Sequence, residues 1–437
     1  MKALILSIVA VSCGSLLAAV PVITPGSVTL SQDASRRVTI GYSLESEPAV
    51  VTIDILTNGV SIGAVNTRGM YGDVHVKVEP GQGKKAYWTP TKSWPDHVVA
   101  AGAMTAVVTA WATNAPPEWM IVNLDTVYAG RADAVKYYTS LDQSPDGGDI
   151  SSEIYKTSRI VLKRIPAAGV PFFMGSPVSE TGHRSTSSGS LGAEELHKVV
   201  LSSDFYMAVY ETTQSQYRKM YGTPKQFYFM KDGDMRPAEN LGLDLVRGQT
   251  SVWPGESRAA AYGSVPDACF LGALRAHVGG TVMFDLPTEA QWEFACRAGT
   301  QTGLYTGEDI VDVTISANLD TIGRYSGNDN EGHNTAIVGD TSVGTNAATA
   351  VVGSFLANGF GLYDMIGNVQ ELCLDWSGDY AGDALDPVGP LTGEKRLCRG
   401  GGYCFDARYN RAAARYYQSR SNPSRATGFR ICVPLNY

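Results

Sequence analysis

The sequence predicts an α+β chain with little regular secondary structure, preceded by an antiparallel β-sandwich. Period-two alternation of apolar residues dominates residues 20 to about 125. Beyond residue 156, short strands and a few capped helices are separated by long Gly, Ser, Thr and Asn loops. The 47 glycines, and 22 tyrosines against 12 phenylalanines, suit turns and short strands better than a helical bundle.

The 437 residues suffice for two or three domains. With 44% hydrophobic and 18% charged residues the chain has globular, not disordered, composition. A net charge of −8 gives no electrostatic basis for binding nucleic acid or an anionic membrane.

Residues 1–19 read as a secretory leader. Lys2 supplies the positive start, Ala3 to Val11 the apolar run, and Ser15 to Ala19 the small residues before a cut after Ala19. A lipid anchor on Cys13 is the variant reading. Polar residues and Gly14 break the run, which argues against a membrane anchor, and no later segment is long and apolar enough to span a bilayer. The expected location is therefore periplasmic, cell-surface or secreted. Six cysteines lie beyond the leader, none before residue 269, and an even set in an exported chain points to disulfides. No Cys/His spacing suggests zinc.

Four alternating runs define the first domain, 20–125: Val38 to Leu44, Val51 to Ile55, Val74 to Val78, and Met104 to Trp111. Asn58-Gly59 is a turn pair. This pattern suits an immunoglobulin-like or fibronectin-like module with a structural or adhesive role, in which Trp88 and Trp94 are packing residues. Residues 126–155, rich in Asp, Ser and Gly, read as a transition. In the second domain, 156–437, strands are expected at Phe172 to Met174, Val199 to Leu201 and Phe205 to Val209. Helices are expected at Thr213 to Met220, at Ala268 to His277, and after Thr288. There Thr288 and Gln291 make a capping box, Trp292, Ala295 and Cys296 share a face, and Gly299 stops the helix.

The segment Gly361-Leu-Tyr-Asp-Met-Ile-Gly-Asn-Val-Gln-Glu371 concentrates the chemistry. Asp364 and Glu371 bracket a Gly367-Asn368 turn that can aim carboxylates and main-chain carbonyls at one point, as an all-oxygen calcium cage requires. The alternative is a turn whose carboxylates accept from backbone amides.

Five segments, in order, are similar to motifs of the sulfatase-modifying-factor family, which includes the formylglycine-generating enzyme: Val170 to Ser176, Phe205 to Gln214, Leu286 to Phe294, Gly361 to Trp376, and Arg399-Gly-Gly-Gly-Tyr403 with Gly428-Phe-Arg430. The resemblance covers residues 160–437. It implies an irregular C-type-lectin-like fold and calcium bound by the Asp364 and Glu371 side chains with the Gly367 and Val369 carbonyls. A second calcium site would fall near Asn318 and Leu319. The resemblance further implies action on a partner protein such as a sulfatase, whose cysteine the family's enzyme oxidises at copper held by two cysteines five residues apart.

The copper pair is where the sequence departs from the family. Counting from Gly400-Gly401 it falls on Phe405 and Asn410, and counting back from Arg411 to Arg415 the second position falls on Ala407. Cys404 is the one thiol nearby, and Gly402 replaces the family's Ser. Copper is not expected, and Cys404 is the sole catalytic candidate. Iron chemistry, as in the family's histidine-rich branches, lacks ligands: the first domain holds only His75 and His97. The other reading is a calcium-stabilised lectin-like surface protein that binds a protein, peptide or glycan.

Seven arginines between 399 and 430 interleave with aromatics. They read either as a ligand groove, with Arg399, Tyr403, Arg411 and Arg415 as its candidates, or as braces against Glu371, Asp375 and Asp379. The resemblance pairs Cys296 with Cys432, and Cys373 with Cys398 or Cys404 is a second expected bridge.

Overall fold

The structure is a computed structural model describing residues 20–99, 102–222, 227, 233–248, 265–328, 348–390, 392–419 and 423–435. The leader 1–19, with Cys13, and most of the loop from Ser326 to Ala350 lie outside the described residues.

Nine strands open the chain: β1 (Val22–Ile23), β2 (Thr29–Gln32), β3 (Val38–Glu45), β4 (Ala49–Thr57), β5 (Val60–Ser61), β6 (Tyr71–Gly72), β7 (Lys77–Val78), β8 (Gly81–Trp88) and β9 (Met104–Ala112). They form two antiparallel sheets, β1-β3-β8-β6 with β2 on β3, and β5-β4-β7 with β9 on β4. Alternation sets the inward face: Val38, Ile40, Tyr42 and Leu44 of one sheet and Val51, Ile53 and Ile55 of the other meet in a single core with Trp88. Asn58 and Gly59 both take positive φ, 50° and 79°, and make the two-residue turn between β4 and β5.

Six strands follow: β10 (Trp119–Asn123), β11 (Val135–Tyr138), β12 (Arg159–Ile165), β13 (Pro171–Met174), β14 (His197–Val200) and β15 (Phe205–Ala208). The helices α1 (Gln214–Tyr221), α2 (Phe270–His277) and α3 (Glu289–Arg297) come next. The strands β16 (Gln370–Trp376), β17 (Ala384–Leu385), β18 (Lys395–Arg399), β19 (Arg415–Ser419), β20 (Thr427–Gly428) and β21 (Cys432–Pro434) complete the chain. The central sheet is antiparallel, β11-β10-β12-β15-β21. It is buried on both faces. Val161, Ile165, Phe205 and Met207 pack into one core, and Ile160, Leu162, Tyr206 and Ala208 into another. Covering both faces explains why these strands read as unbroken apolar runs.

The segment 126–155, expected as a transition, carries β11, three 3-10 turns and the start of a short helix at Ile154–Thr157, and β10 pairs with β12, not with the first two sheets. Strand pairing with residues some 40 positions later is what composition could not reveal. A second sheet, β19-β18-β16-β20, adds a parallel β16–β20 pair to antiparallel neighbours. The short β13-β14-β17 sheet lies apart from both.

Helix α3 is capped as its sequence dictates. The Gln291 N–H donates to Thr288 Oγ1 at 3.1 Å, and the Thr288 N–H donates to Gln291 Oε1 at 2.9 Å. Ala298 takes the left-handed conformation at its end, with φ of 46°, one residue before the expected Gly299. Helix α1 has the same box, Thr213 with Gln216, and Cys269 caps α2.

The expected disulfides are not formed, and all six cysteines from Cys269 to Cys432 are free thiols. Cys398 lies opposite Leu372 in the β16–β18 register, so Cys373 points to the other face. Accordingly, Cys373 and Cys398 pack in different cores. Cys432 faces Gln291, at 3.8 Å from its Oε1, whereas Cys296 sits five residues further along α3, about 7.5 Å of helix rise away.

Candidate functional site

The 361–371 loop is shaped by left-handed residues. Gly361, Asp364, Gly367 and Asn368 all have φ between 55° and 86°. At Gly367 only glycine fits, because a Cβ would lie 2.5 Å from the Arg324 carbonyl oxygen. Asn368 is the hub: its N–H donates to Arg324 O and its Oδ1 accepts from the Ala350 N–H, both at 2.8 Å. Its Nδ2 donates to Glu211 Oε2 at 2.5 Å.

Three carboxylates gather behind this turn, all buried: Asp364, Glu371 and Glu211. Glu371 is committed. Arg430 donates from Nε at 3.0 Å and from Nη2 at 2.6 Å, and Trp292 Nε1 donates to Oε2 at 2.8 Å. Glu211 accepts from Asn368 and from the Val369 N–H at 3.2 Å. Asp364 accepts from the Gly353 N–H at 2.6 Å through Oδ2, while its Oδ1 is buried without a hydrogen-bond partner.

Charge is out of balance here. Burial pushes the Asp364 carboxyl up to about 6, against the pull of the Gly353 amide and Arg430. Burial, with Asp364 and Glu371 nearby, pushes Glu211 well above the usual carboxylate range, and Arg430 opposes this only in part. The orphaned Asp364 oxygen and the surplus negative charge suit a hard cation. Glu371 does not, since Arg430 and Trp292 hold both its oxygens. Among the described residues no group of three or more His, Cys, Asp or Glu side chains converges as a metal-binding set. At the second expected site, Asn318 Nδ2 donates to Asp309 O at 2.8 Å, and the Leu319 carbonyl accepts from the Ile322 and Gly323 amides.

The arginines are braces, and their partners lie mainly on α3 and in the 180–194 loop. Arg415 forks onto Glu289 at 2.6 and 2.9 Å, and Arg399 joins Glu289 to Glu293. Arg411 bridges Glu180 and Glu194. Burial works against the Glu289 charge, but Arg415 and Arg399 hold its carboxyl below the usual range. Arg399, Tyr403 and Arg411 are buried. Arg415, also a groove candidate, lines a cavity of about 360 Å³ beside Tyr380. Among the described residues, of the three expected carboxylate partners only Glu371 forms an ion pair with an arginine, Arg430.

Phe405 and Asn410, where counting from Gly400-Gly401 would put the family's copper cysteines, have packing and strapping roles, and Ala407, the second position in the other register, is buried. Phe405 packs against Tyr409 and Tyr416, with ring centroids 6.2 and 5.2 Å away. Asn410 straps the turn before it: Oδ1 accepts from the Gly402 N–H at 2.8 Å, and Nδ2 donates to the Phe405 and Asp406 carbonyls at 3.0 and 2.9 Å. Cys404 is half-buried. His75 is buried in a contact with Tyr137 O, and His97 stacks on Trp94.

Residues 171–434 match the family model for the sulfatase-modifying factor enzyme 1-like domain, and the chain belongs to that family. It is 37% identical to the formylglycine-generating enzyme of Thermomonospora curvata over 157 residues, which cover 34% of this chain and 48% of that protein. It is 33% identical to the Mus musculus enzyme over 153 residues, covering 34% and 38%. The chain thus spans less than half the length of these relatives. A 257-residue match at 28% identity to the serine/threonine-protein kinase pkn1 of Chlamydia pneumoniae covers 55% of this chain and 34% of that protein. Among solved structures, PvdO from Pseudomonas aeruginosa is 19% identical with a TM-score of 0.45, covering 62% of this chain and 94% of that one.

Proposed function

We propose that this chain is an exported binding protein built on the sulfatase-modifying-factor scaffold, not a copper-dependent oxidase. The observation that carries the reading is the replacement of the two copper thiolates by the ring of Phe405 and the strap of Asn410. A single thiolate at Cys404 does not make a two-sulfur Cu(I) site. In this reading residues 20–125 are an immunoglobulin-like or fibronectin-like stalk, and residues 156–437 a C-type-lectin-like head that binds a protein, peptide or glycan. Calcium stabilises the head at the loop. Asp364 supplies the side-chain oxygen there, and the Gly367 and Val369 carbonyls complete the donor set, while Glu371 stays with Arg430.

The protein is incubated with copper, a thiol reductant and a Cys-x-Pro-x-Arg peptide, and the peptide mass is read. The expected outcome is no aldehyde. Aldehyde formation that is lost in Cys404→Ser establishes the enzymatic reading instead. Calcium is read separately: added calcium raises the melting temperature of the wild type and not of Asp364→Asn. An unchanged melting temperature in chelator removes calcium from the reading.

A further inference from the structure

A second site lies at the N-terminal end of α3, where residues 378–390 between β16 and β18 line a cavity with Glu289 and Ala290. It is the cavity of about 360 Å³ beside Tyr380, within the size range of small-ligand pockets. Part of its wall is apolar, formed by Met174, Pro387, Val388 and Pro390. The polar part is mostly acidic: Asp375, Asp379 and Glu289 against the single cation Arg415, with His197 beside them.

Most of these polar groups are already used. Arg415 is spent on Glu289 and on the Ala193 and Gly378 carbonyls, and its guanidinium covers the Tyr380 ring at 3.8 Å. Glu289 is spent on Arg415, Arg399 and the Tyr380 hydroxyl. His197 Nδ1 contacts Glu195 O, and its ring packs against Tyr380. Asp375 is different. It is 2% exposed, its Oδ2 accepts from the Glu289 N–H at 2.7 Å, and its Oδ1 has no hydrogen-bond partner among the described residues. In a residue this buried, a carboxylate oxygen that meets no protein donor and faces the cavity is costly unless water or a ligand meets it. Burial, and the neighbouring Glu289, push the Asp375 carboxyl up to about 7, which marks a place where a donor or a positive charge is wanted.

We propose that this cavity binds a small organic cation, with an ammonium head on Asp375 and an aliphatic body against Met174, Pro387, Val388 and Pro390. The charge of the lining selects the cation, and the apolar wall selects the carbon chain. The same chemistry is offered by a free alkylamine and by a lysine side chain of a partner protein. The proposal is independent of whether the scaffold oxidises a thiol.

Titration calorimetry on the full chain at pH 8 tests it, with n-hexylamine as the probe and n-hexanol as its neutral counterpart. Hexylamine is expected to bind at least tenfold more tightly than hexanol. Asp375→Asn, which keeps an oxygen for the Glu289 amide, is expected to weaken hexylamine at least tenfold, and Val388→Trp, which fills the cavity from an exposed loop, to abolish binding. Melting curves establish that both variants are folded. N-acetyl-lysine methylamide assigns the source: binding within a few-fold of hexylamine supports a lysine of a partner, and no binding supports a free amine. Hexanol binding as tightly as hexylamine, Asp375→Asn binding like the wild type, or no heat with hexylamine overturns the proposal.

Discussion

Arg430 holds Glu371 by both carboxylate oxygens in the interior, and neither side chain is more than 1% exposed. The same guanidinium donates to the carbonyls of Ala208 and Val209 on the central sheet and of Tyr363 in the loop. One side chain therefore fastens the loop to the central sheet.

Removing that side chain strands the buried Glu371 carboxylate and takes the nearest positive charge from Glu211 and Asp364. Arg430→Met is expected to lower unfolding stability by about 3–5 kcal/mol, the usual cost of breaking a buried pair from one side. Urea denaturation reads it. Adding Glu371→Gln in the same chain should recover part of the loss, because the unpaired charge goes with it. A loss below about 1 kcal/mol in the single variant contradicts this account.

Asp375 sets a pH dependence. Its folded value, about 7, lies above the unfolded 3.8, so the native state holds this proton more tightly than the unfolded chain. The stabilisation is complete below pH 3.8 and is lost as pH rises through 7. Its size is about 2–4 kcal/mol. Asp375→Asn mimics the protonated form at every pH. The stability of the wild type relative to this variant should therefore fall between pH 4 and pH 8 in thermal melts. A flat difference over that range argues that Asp375 stays charged in the fold.

The six thiols give a direct chemical count. After unfolding without reductant, N-ethylmaleimide should label all six cysteines from Cys269 to Cys432, read by mass. Reductant should leave the melting temperature unchanged, since no cross-link restrains the unfolded chain. Fewer than six labels would restore a disulfide.

The cap of α3 is the simplest local test. Thr288→Ala removes the acceptor for the Gln291 amide and should cost about 1 kcal/mol, read as a lower urea midpoint with the calcium response intact.

What was legible in the sequence was local. The alternation of β3 and β4, the Asn58-Gly59 turn and the capping box of α3 are each written within ten residues, and each forms as read. The family loop was legible too, because Gly367 and Asn368 have conformational demands that few residues meet. The partners were not. Arg415 finds Glu289 across 126 positions and Arg411 finds Glu194 across 217, and no periodicity records such distances. Glu211 lies inside the family-like segment Phe205 to Gln214, and a carboxylate following an apolar strand is the signal that could have found it. Cys373 and Cys398 fail to pair because strand alternation sends them to different faces, and Cys296 and Cys432 because they sit at different heights along α3.

The position of β21 has a consequence for the order in which the molecule can be made. Phe205 of β15 pairs with Pro434, and Arg430 reaches the core from the turn just before. A chain emerging from a ribosome can assemble its first two sheets early. The head must then wait for some 230 further residues, on the order of tens of seconds of synthesis. During that interval the edge of β15 and the Glu371 carboxylate both lack their final partners, so truncation before residue 430 should yield a head that is held by chaperones or degraded.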